Sequence, residues 1–125
     1  MIENSWTPTH QAVESSDHAE LTRLLDGGAD VNEVCCGMTL LEHAIDVEGD
    51  SALQSGTPID SRLTVILLAY GADPRPQPPG RMSAADLADH YGHDIAYRLL
   101  DRMASIAAAS RPRSALWPWR RSRKD

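Results

Sequence analysis

Four side chains close together in the sequence are of the types that hold a metal ion. His90 and His93 are three residues apart, and Asp86 and Asp89 precede them. Zinc is commonly held by imidazole and carboxylate ligands, and a spacing of three residues can place two ligands on one face of a helix. By residue type alone, this group is the strongest candidate for a metal site in the chain.

Cys36 and His43 are a second pair of interest, as a nucleophile and its general base. No motif supplies a third orienting group or an oxyanion site for them, and the sequence contains neither a phosphate-binding glycine loop nor a Gly-x-Ser-x-Gly elbow. Cys35 lies directly beside Cys36, which is poor geometry for a disulfide and does not amount to a metal site. We therefore predict no catalytic residues and a protein that is not an enzyme.

The composition favours one soluble, helical domain. The chain has 125 residues, of which 42% are apolar and only 5% aromatic, with no Phe. A core of Leu, Ile, Val and Ala favours helices over strands. The N-terminus lacks the basic and apolar regions of a secretion signal, and no apolar run is long enough to span a membrane. We expect a cytoplasmic protein with no membrane contact and no cofactor.

Charge is distributed unevenly along the chain. Residues 1–110 contain six Arg and seventeen Asp or Glu, a net charge of −11, whereas residues 111–125 contain six basic residues and one acidic residue, a net charge of +5. The basic segment also contains Trp117 and Trp119. Basic residues interleaved with aromatic ones are typical of segments that contact nucleic acid or anionic lipid, but this tail is equally suited to fold onto the acidic body.

Three leucine pairs mark an internal repeat. Leu24-Leu25 and Leu67-Leu68 are each followed by Gly-Ala-Asp, at residues 28–30 and 71–73, and Leu99-Leu100 is the third pair. A Thr or Ser lies 17, 28 and 16 residues before the respective pairs, so the middle repeat carries an 11-residue insertion. Each of these hydroxyl residues can cap a helix and has an alanine five residues later. These positions are Thr7 and Ala12, Thr39 and Ala44, and Ser83 and Ala88.

These features resemble the ankyrin repeat, a unit of about 33 residues with a β-turn and two helices. The resemblance rests above all on Thr-Pro-Thr-His-Gln-Ala at residues 7–12 and Gly-Ala-Asp-Val-Asn at residues 28–32. It implies an all-α, ankyrin-like solenoid of three helix-turn-helix repeats with β-turn connections and an extended C-terminal helix. The chain departs from the family pattern at Thr9, Glu42 and Asp86, where Leu or His is usual.

The resemblance covers residues 5–103 and sets the domain boundaries that we expect. A repeat domain over residues 1–110 precedes the basic tail at 111–125. The repeats fall at about 5–33, 34–74 and 75–103, with a polar, flexible insertion at about 47–60 and a capping helix at 94–110.

Local chemistry predicts where several helices begin and end. Pro8 suits a first helical position, because its missing N–H is not needed there. Gly28 and Gly71 follow the second helices of their repeats, where a left-handed residue ends a helix most easily without a Cβ. Asp30 and Asp73 are expected to accept backbone N–H bonds in the following turns.

The family pattern also assigns structural roles to the histidines. His10 occupies a position whose ring typically bridges backbone groups of adjacent repeats. Gly92-His93 corresponds to the turn between the two helices of a repeat, so the preceding helix should end near Tyr91. His90 and His93 then need not share a face, and we predict no metal site.

In ankyrin-like stacks, the turn tips and the exposed face of the first helices line a concave surface. We therefore predict a protein, monomeric alone, that binds another protein through its concave face and inserted loop. Aromatic anchors among carboxylates favour a partner with a basic surface. Two alternatives are an inhibitor or toxin-neutralising immunity protein that blocks an enzyme, and nucleic-acid contact through the basic tail. The predicted partner-binding residues are Glu3, Asn4, Trp6, Glu14, Ser15, Cys35, Cys36, Met38, Asp46, Val47, Met82, His90 and Tyr91.

Overall fold

The computed structural model describes residues 6–35, 37–75 and 82–109. These ranges are mostly helical, as predicted, and form an all-α, ankyrin-like fold with little strand. A two-residue antiparallel ladder pairs Val34 with Thr39 and Cys35 with Met38. The elements of the described ranges are α1 (Pro8–Glu14), α2 (His18–Asp26), β1 (Val34–Cys35), β2 (Met38–Thr39), α3 (Leu40–Ser55), α4 (Arg62–Ala69), α5 (Ala84–Tyr91) and α6 (Asp94–Ala109).

The predicted hydroxyl caps start three of the helices. The side chains of Thr7, Thr39 and Ser83 accept hydrogen bonds from the third residue of α1, α3 and α5, respectively. At α3 the bond is reciprocal, because the Glu42 side chain accepts from the Thr39 N–H at 3.0 Å and completes a capping box. Pro8 is the first residue of α1, as predicted.

The turns after the helices also follow the predictions. Gly28 and Gly71 have φ values of 104° and 93°, which an L side chain rarely adopts. Gly92 ends α5 directly after Tyr91 in a left-handed conformation. Asp30 accepts the Asn32 N–H at 2.9 Å.

The helices pack as three successive pairs, α1 with α2, α3 with α4, and α5 with α6. The first helix of each pair also packs against the first helix of the next, in the order α1, α3, α5. The three predicted alanines lie between these helices and are at most 3% exposed, which lets the backbones approach closely. Core side chains from all three pairs surround them: Val13, Leu21, Leu25, Leu40, Leu41, Ile45, Leu63, Leu67, Leu68 and Leu100.

The insertion at about 47–60, expected to be polar and flexible and to lengthen the first-helix end of the middle repeat, is helical over residues 47–55 and forms a loop only after them. They continue α3, which is 16 residues long and ends at Gly56. The connection to α4 is confined to residues 56–61. Gly49 and the serines of this stretch suggest a loop by local propensity, but Glu48 and Gly49 are buried against neighbouring elements. Tertiary packing therefore overrides propensity here.

Candidate functional site

The described candidate residues lie mainly at helix ends and on the hairpin. Trp6 precedes α1, Glu14 and Ser15 lie at its end, and Met82 is exposed before α5. Glu3, Asn4 and Cys36 lie outside the described residues. The remaining candidates are Cys35 and Met38 on the hairpin, Asp46 and Val47 on α3, and His90 and Tyr91 at the end of α5.

Trp6 belongs to a stack of three rings that joins α1 to α3. Its ring centroid lies 4.6 Å from that of His43, which in turn lies 5.1 Å from that of His10. His10 and His43 are 0% and 1% exposed, whereas Trp6 is half-buried. The indole thus covers a buried histidine pair, and its position is set by the rings beneath it.

Hydrogen bonds connect both histidines to acceptor oxygens. The Nδ1 atoms of His10 and His43 are 2.9 Å apart. His10 Nε2 faces the Glu33 carbonyl oxygen at 3.4 Å, and His43 Nε2 faces Glu14 Oε1 at 2.8 Å. Both nitrogens of His43 therefore contact other groups of the fold, and Cys36, the nucleophile suggested for it, lies outside the described residues.

The partners of the two rings determine how many protons the pair holds. The contact between the two Nδ1 atoms needs one proton, and each of the two oxygen acceptors needs one on the Nε2 that faces it. Two neutral imidazoles supply only two of these three protons, so neutral rings can satisfy at most two of the three contacts at once. Burial has the largest effect on the pKa of His10 and lowers it. The hydrogen bond to the Glu33 carbonyl raises this pKa, and the electrostatic interaction with His43 lowers it.

A second cluster joins α3 to α5. The Tyr91 hydroxyl donates to Asp46 Oδ1 at 2.6 Å, and this bond, with burial and the Asp46 charge, raises the pKa of Tyr91 to about 12. The ring of His90 meets that of Tyr91 edge-on, with centroids 5.2 Å apart. Tyr91 also lies directly against Gly49, where a Cβ atom would fall 2.3 Å from the Tyr91 Cγ. The glycine thus makes room for the tyrosine.

The two clusters form one continuous row. His43 and Asp46 are three residues apart on α3, a spacing that puts them on the same face of the helix. The row runs from α1 through α3 to α5, and five of the predicted contact residues belong to it. We call it the inner-helix surface: Trp6, Glu14, Asp46, His90 and Tyr91, with His43 beneath them.

Sequence reasoning missed a buried carboxylate behind this row. Glu48, 4% exposed, accepts from the Leu63 N–H at 2.8 Å, from the Thr64 hydroxyl at 2.6 Å and from the Thr64 N–H at 3.3 Å. It thereby caps the start of α4, where Ser61 makes no side-chain cap bond. Its other partner is His93 Nε2, 2.9 Å from Glu48 Oε1. One side chain on α3 therefore ties the second helix pair to the third.

The contact of His93 with Glu48 also sets it apart from His90, the other histidine that suggested a metal site. His93 is fully buried and bonded to Glu48, while His90 is exposed on the other side of Gly92 and contacts Tyr91. Within residues 6–35, 37–75 and 82–109, no group of three or more His, Cys, Asp or Glu side chains is arranged to hold a metal ion. Over the same ranges, no helix has the length and apolar character needed to cross a membrane.

A cavity of about 120 Å³ lies beside the extended part of α3. Ser51 and Ala52 of α3 and Thr57 of the connection line one side. Ser16 of the α1–α2 turn and His18, the first residue of α2, line another. The residues that lengthen the middle repeat therefore shape a polar recess against the first helix pair.

The described elements thus define an all-α protein of packed helix pairs. Residues 4–35 match the family model described as Ankyrin repeat. The match lies on the first helix pair and its following turn, and it supports assigning the chain to the ankyrin repeat family. Ankyrin repeats generally mediate protein–protein interaction and are typically non-enzymatic. No curated protein matches the chain.

Proposed function

We propose that this protein acts without catalysis, by binding another protein through the inner-helix surface. The observation that carries the proposal is the continuous row from Trp6 through Asp46 to Tyr91. Each of these side chains is held by a ring stack or a hydrogen bond. Aromatic side chains that are already fixed lose little conformational entropy on binding, which makes them effective anchors.

The architecture that presents this surface is a solenoid of three ankyrin units. The helix pairs α1–α2, α3–α4 and α5–α6 are the units, and the succession α1, α3, α5 supports placing the inner-helix surface on the concave face. The middle unit is enlarged by the extra turns of α3 and by residues 56–61. We include the polar recess beside this segment in the interface, because inserted segments on a rigid scaffold often carry binding specificity.

A partner with a basic surface suits the charge of this face. The Glu14 side chain is 48% exposed, Asp46 is half-buried, and Asp50 is exposed on the same helix. Residues 1–110 carry a net charge of −11. Complementary charge accelerates encounter and selects orientation, so the association should weaken as salt concentration rises.

The test begins with the partner, captured by crosslinking and affinity purification from native cells and then purified for calorimetry. Asp46→Asn on the inner-helix surface is compared with Asp101→Asn on the exposed side of α6, which removes the same charge elsewhere. We expect Asp46→Asn to weaken binding about tenfold, equivalent to about 1.4 kcal/mol, while Asp101→Asn leaves it unchanged. Equal effects of the two substitutions, with both variants folded by circular dichroism, would place the interface elsewhere.

A further inference from the structure

The last helix carries an apolar face that the described elements leave exposed. Ile95, Leu99, Met103 and Ile106 follow one another at spacings of four, four and three residues on α6. At 100° per residue they fall within about 80° of each other around the helix. Ile95, Met103 and Ile106 are 49%, 36% and 48% exposed. We call these four residues the α6 apolar stripe.

The stripe borders the face that holds α6 in the fold, and Leu99 is the stripe residue that packs partly against the core. Ala96 and Leu100 are 0% and 3% exposed and belong to the core, on the side of α6 that packs against α5. Soluble proteins rarely leave a contiguous apolar strip exposed unless another surface covers it. Single exposed leucines or valines occur on other helices, but α6 carries them as a row.

We propose that the segment directly after α6 covers this stripe, with Leu116, Trp117 and Trp119 packed on it. The chain continues from α6 into residues 110–125, which lie outside the described residues. Pro112 disfavours a helical continuation, because it blocks a backbone hydrogen bond and restricts the preceding residue. The chain can therefore leave the helix axis just after α6 and return along its side.

The lengths agree with such a return. From Ile95 to Ile106 the stripe spans about 16 Å, at about 1.5 Å per helical residue. Residues 110–116 reach up to about 23 Å when extended, at about 3.3 Å per residue. The apolar residues 116–119 can thus lie anywhere along the stripe. Because they are tethered to it, their effective concentration there is high without a large intrinsic affinity.

The charges around the stripe also suit this segment. Arg98 and Arg102 are exposed on α6 and flank the stripe, at positions from which a guanidinium can lie over an indole ring. The basic residues of 111–125 find carboxylates nearby, since Asp86 and Asp89 are exposed on α5, which contains no Lys or Arg. The apolar centre of the segment thus matches the stripe, and its basic residues match the acidic helix beside it.

The test uses the full chain with Trp6→Phe, so that only Trp117 and Trp119 fluoresce. Ile95→Ser/Ile106→Ser is compared with Leu53→Ser, a matched loss of exposed apolar surface on α3, where Leu53 is 70% exposed. We expect acrylamide quenching of the two tryptophans to rise about twofold in the stripe variant. Docked indoles are shielded from water, and the substitutions release them into it. No rise is expected for Leu53→Ser.

A reciprocal measurement guards against an altered helix. Trp117→Ser/Trp119→Ser should accelerate hydrogen exchange at the end of α6 and leave α1 unchanged, because the docked segment suppresses local opening. Unchanged quenching in the stripe variant would overturn the proposal. So would self-association of the Trp6→Phe chain that the stripe substitutions abolish, since a second copy would then be the occupant. Protection of the tryptophans only after addition of duplex DNA would overturn it as well.

Discussion

Replacing Gly49 with alanine tests whether close packing of α3 against α5 sets the position of Tyr91. A Cβ at residue 49 would lie 2.3, 2.5 and 2.7 Å from Tyr91 Cγ, Cδ1 and Cβ. Carbon atoms in contact normally stay about 3.5–4.0 Å apart. The clashing atoms lie at the base of the tyrosine side chain, so rotation of its far end cannot relieve the overlap. Either Tyr91 or the α5 backbone must move.

Opposing contributions set the size of the effect. Overpacking a core position costs about 1–3 kcal/mol, and a displaced Tyr91 also loses its bond to Asp46, worth about 1 kcal/mol. Alanine returns about 1 kcal/mol of helix propensity at a position inside α3. We therefore expect Gly49→Ala to lower the free energy of unfolding by about 1–3 kcal/mol, the propensity gain cancelling the lost bond.

A double-mutant cycle separates the clash from the propensity. In a Tyr91→Gly background the clash is absent, because the Cβ, Cγ and Cδ1 atoms that a Cβ at residue 49 would meet are all removed. Gly49→Ala should then stabilise the protein by up to about 1 kcal/mol. The assay is urea unfolding followed by far-UV circular dichroism for all four members of the cycle. The reversal of sign between the two backgrounds is the critical result. If Gly49→Ala stabilises or destabilises both backgrounds equally, the packing argument is refuted.

Three further substitutions test the network, the buried histidine and the caps. Glu48→Gln should lower the free energy of unfolding by about 1–3 kcal/mol, because it weakens charge-assisted bonds to buried partners, whereas exposed Asp50→Asn should change it by less than about 0.5 kcal/mol. The pKa of His10 is lowered from 6.5. Its neutral form therefore stabilises the fold above about pH 6.5, and that contribution is lost as pH falls through the lowered pKa. His10→Gln should flatten the fall of the free energy of unfolding with decreasing pH, measured by urea titrations. Thr39→Ala should cost about 1 kcal/mol in thermal unfolding, and Ser61→Ala close to nothing.

Each of these predictions has a contradicting result. Equal effects of Glu48→Gln and Asp50→Asn would mean that the buried network contributes nothing beyond an ordinary surface carboxylate. The pH argument fails if His10→Gln leaves the acid slope unchanged, or if the exposed-site control His90→Gln flattens it equally. A loss of stability in Ser61→Ala as large as that in Thr39→Ala would contradict the assignment of the α4 cap to Glu48.

The parts of the fold predicted correctly are those decided within a few residues of sequence. A Thr or Ser side chain directly before a helix can accept the backbone N–H three residues later and so cap the helix. This local pattern was enough to infer the helix starts at Thr39 and Ser83. Gly92 likewise ends α5 because a left-handed residue there needs no Cβ. The repeat boundaries and the partner-binding role of the candidate residues stay predictions.

The candidate residues were predicted to line one concave surface, but the contacts between them were not predicted. Trp6, Asp46 and Tyr91 were chosen by their place in the repeat, but their partners are 37 and 45 residues away in sequence. The pairing of His43 with His10 has no sequence signal in this chain beyond the histidines themselves. The signal for Glu48 was weak, because it lies between Asp46 and Asp50 in the sequence and nothing marks it as the buried carboxylate of the three.

By itself, the sequence determined the helical class, the caps and turns, and the acidic body with its basic end. Only the tertiary structure decided that Glu48 caps α4 from a distance, and that two buried histidines contact each other through their Nδ1 atoms beneath Trp6. The physical reason is range. Capping and turn formation depend on neighbouring residues, whereas burial and charge pairing depend on which distant side chains the packed helices bring within a few ångströms.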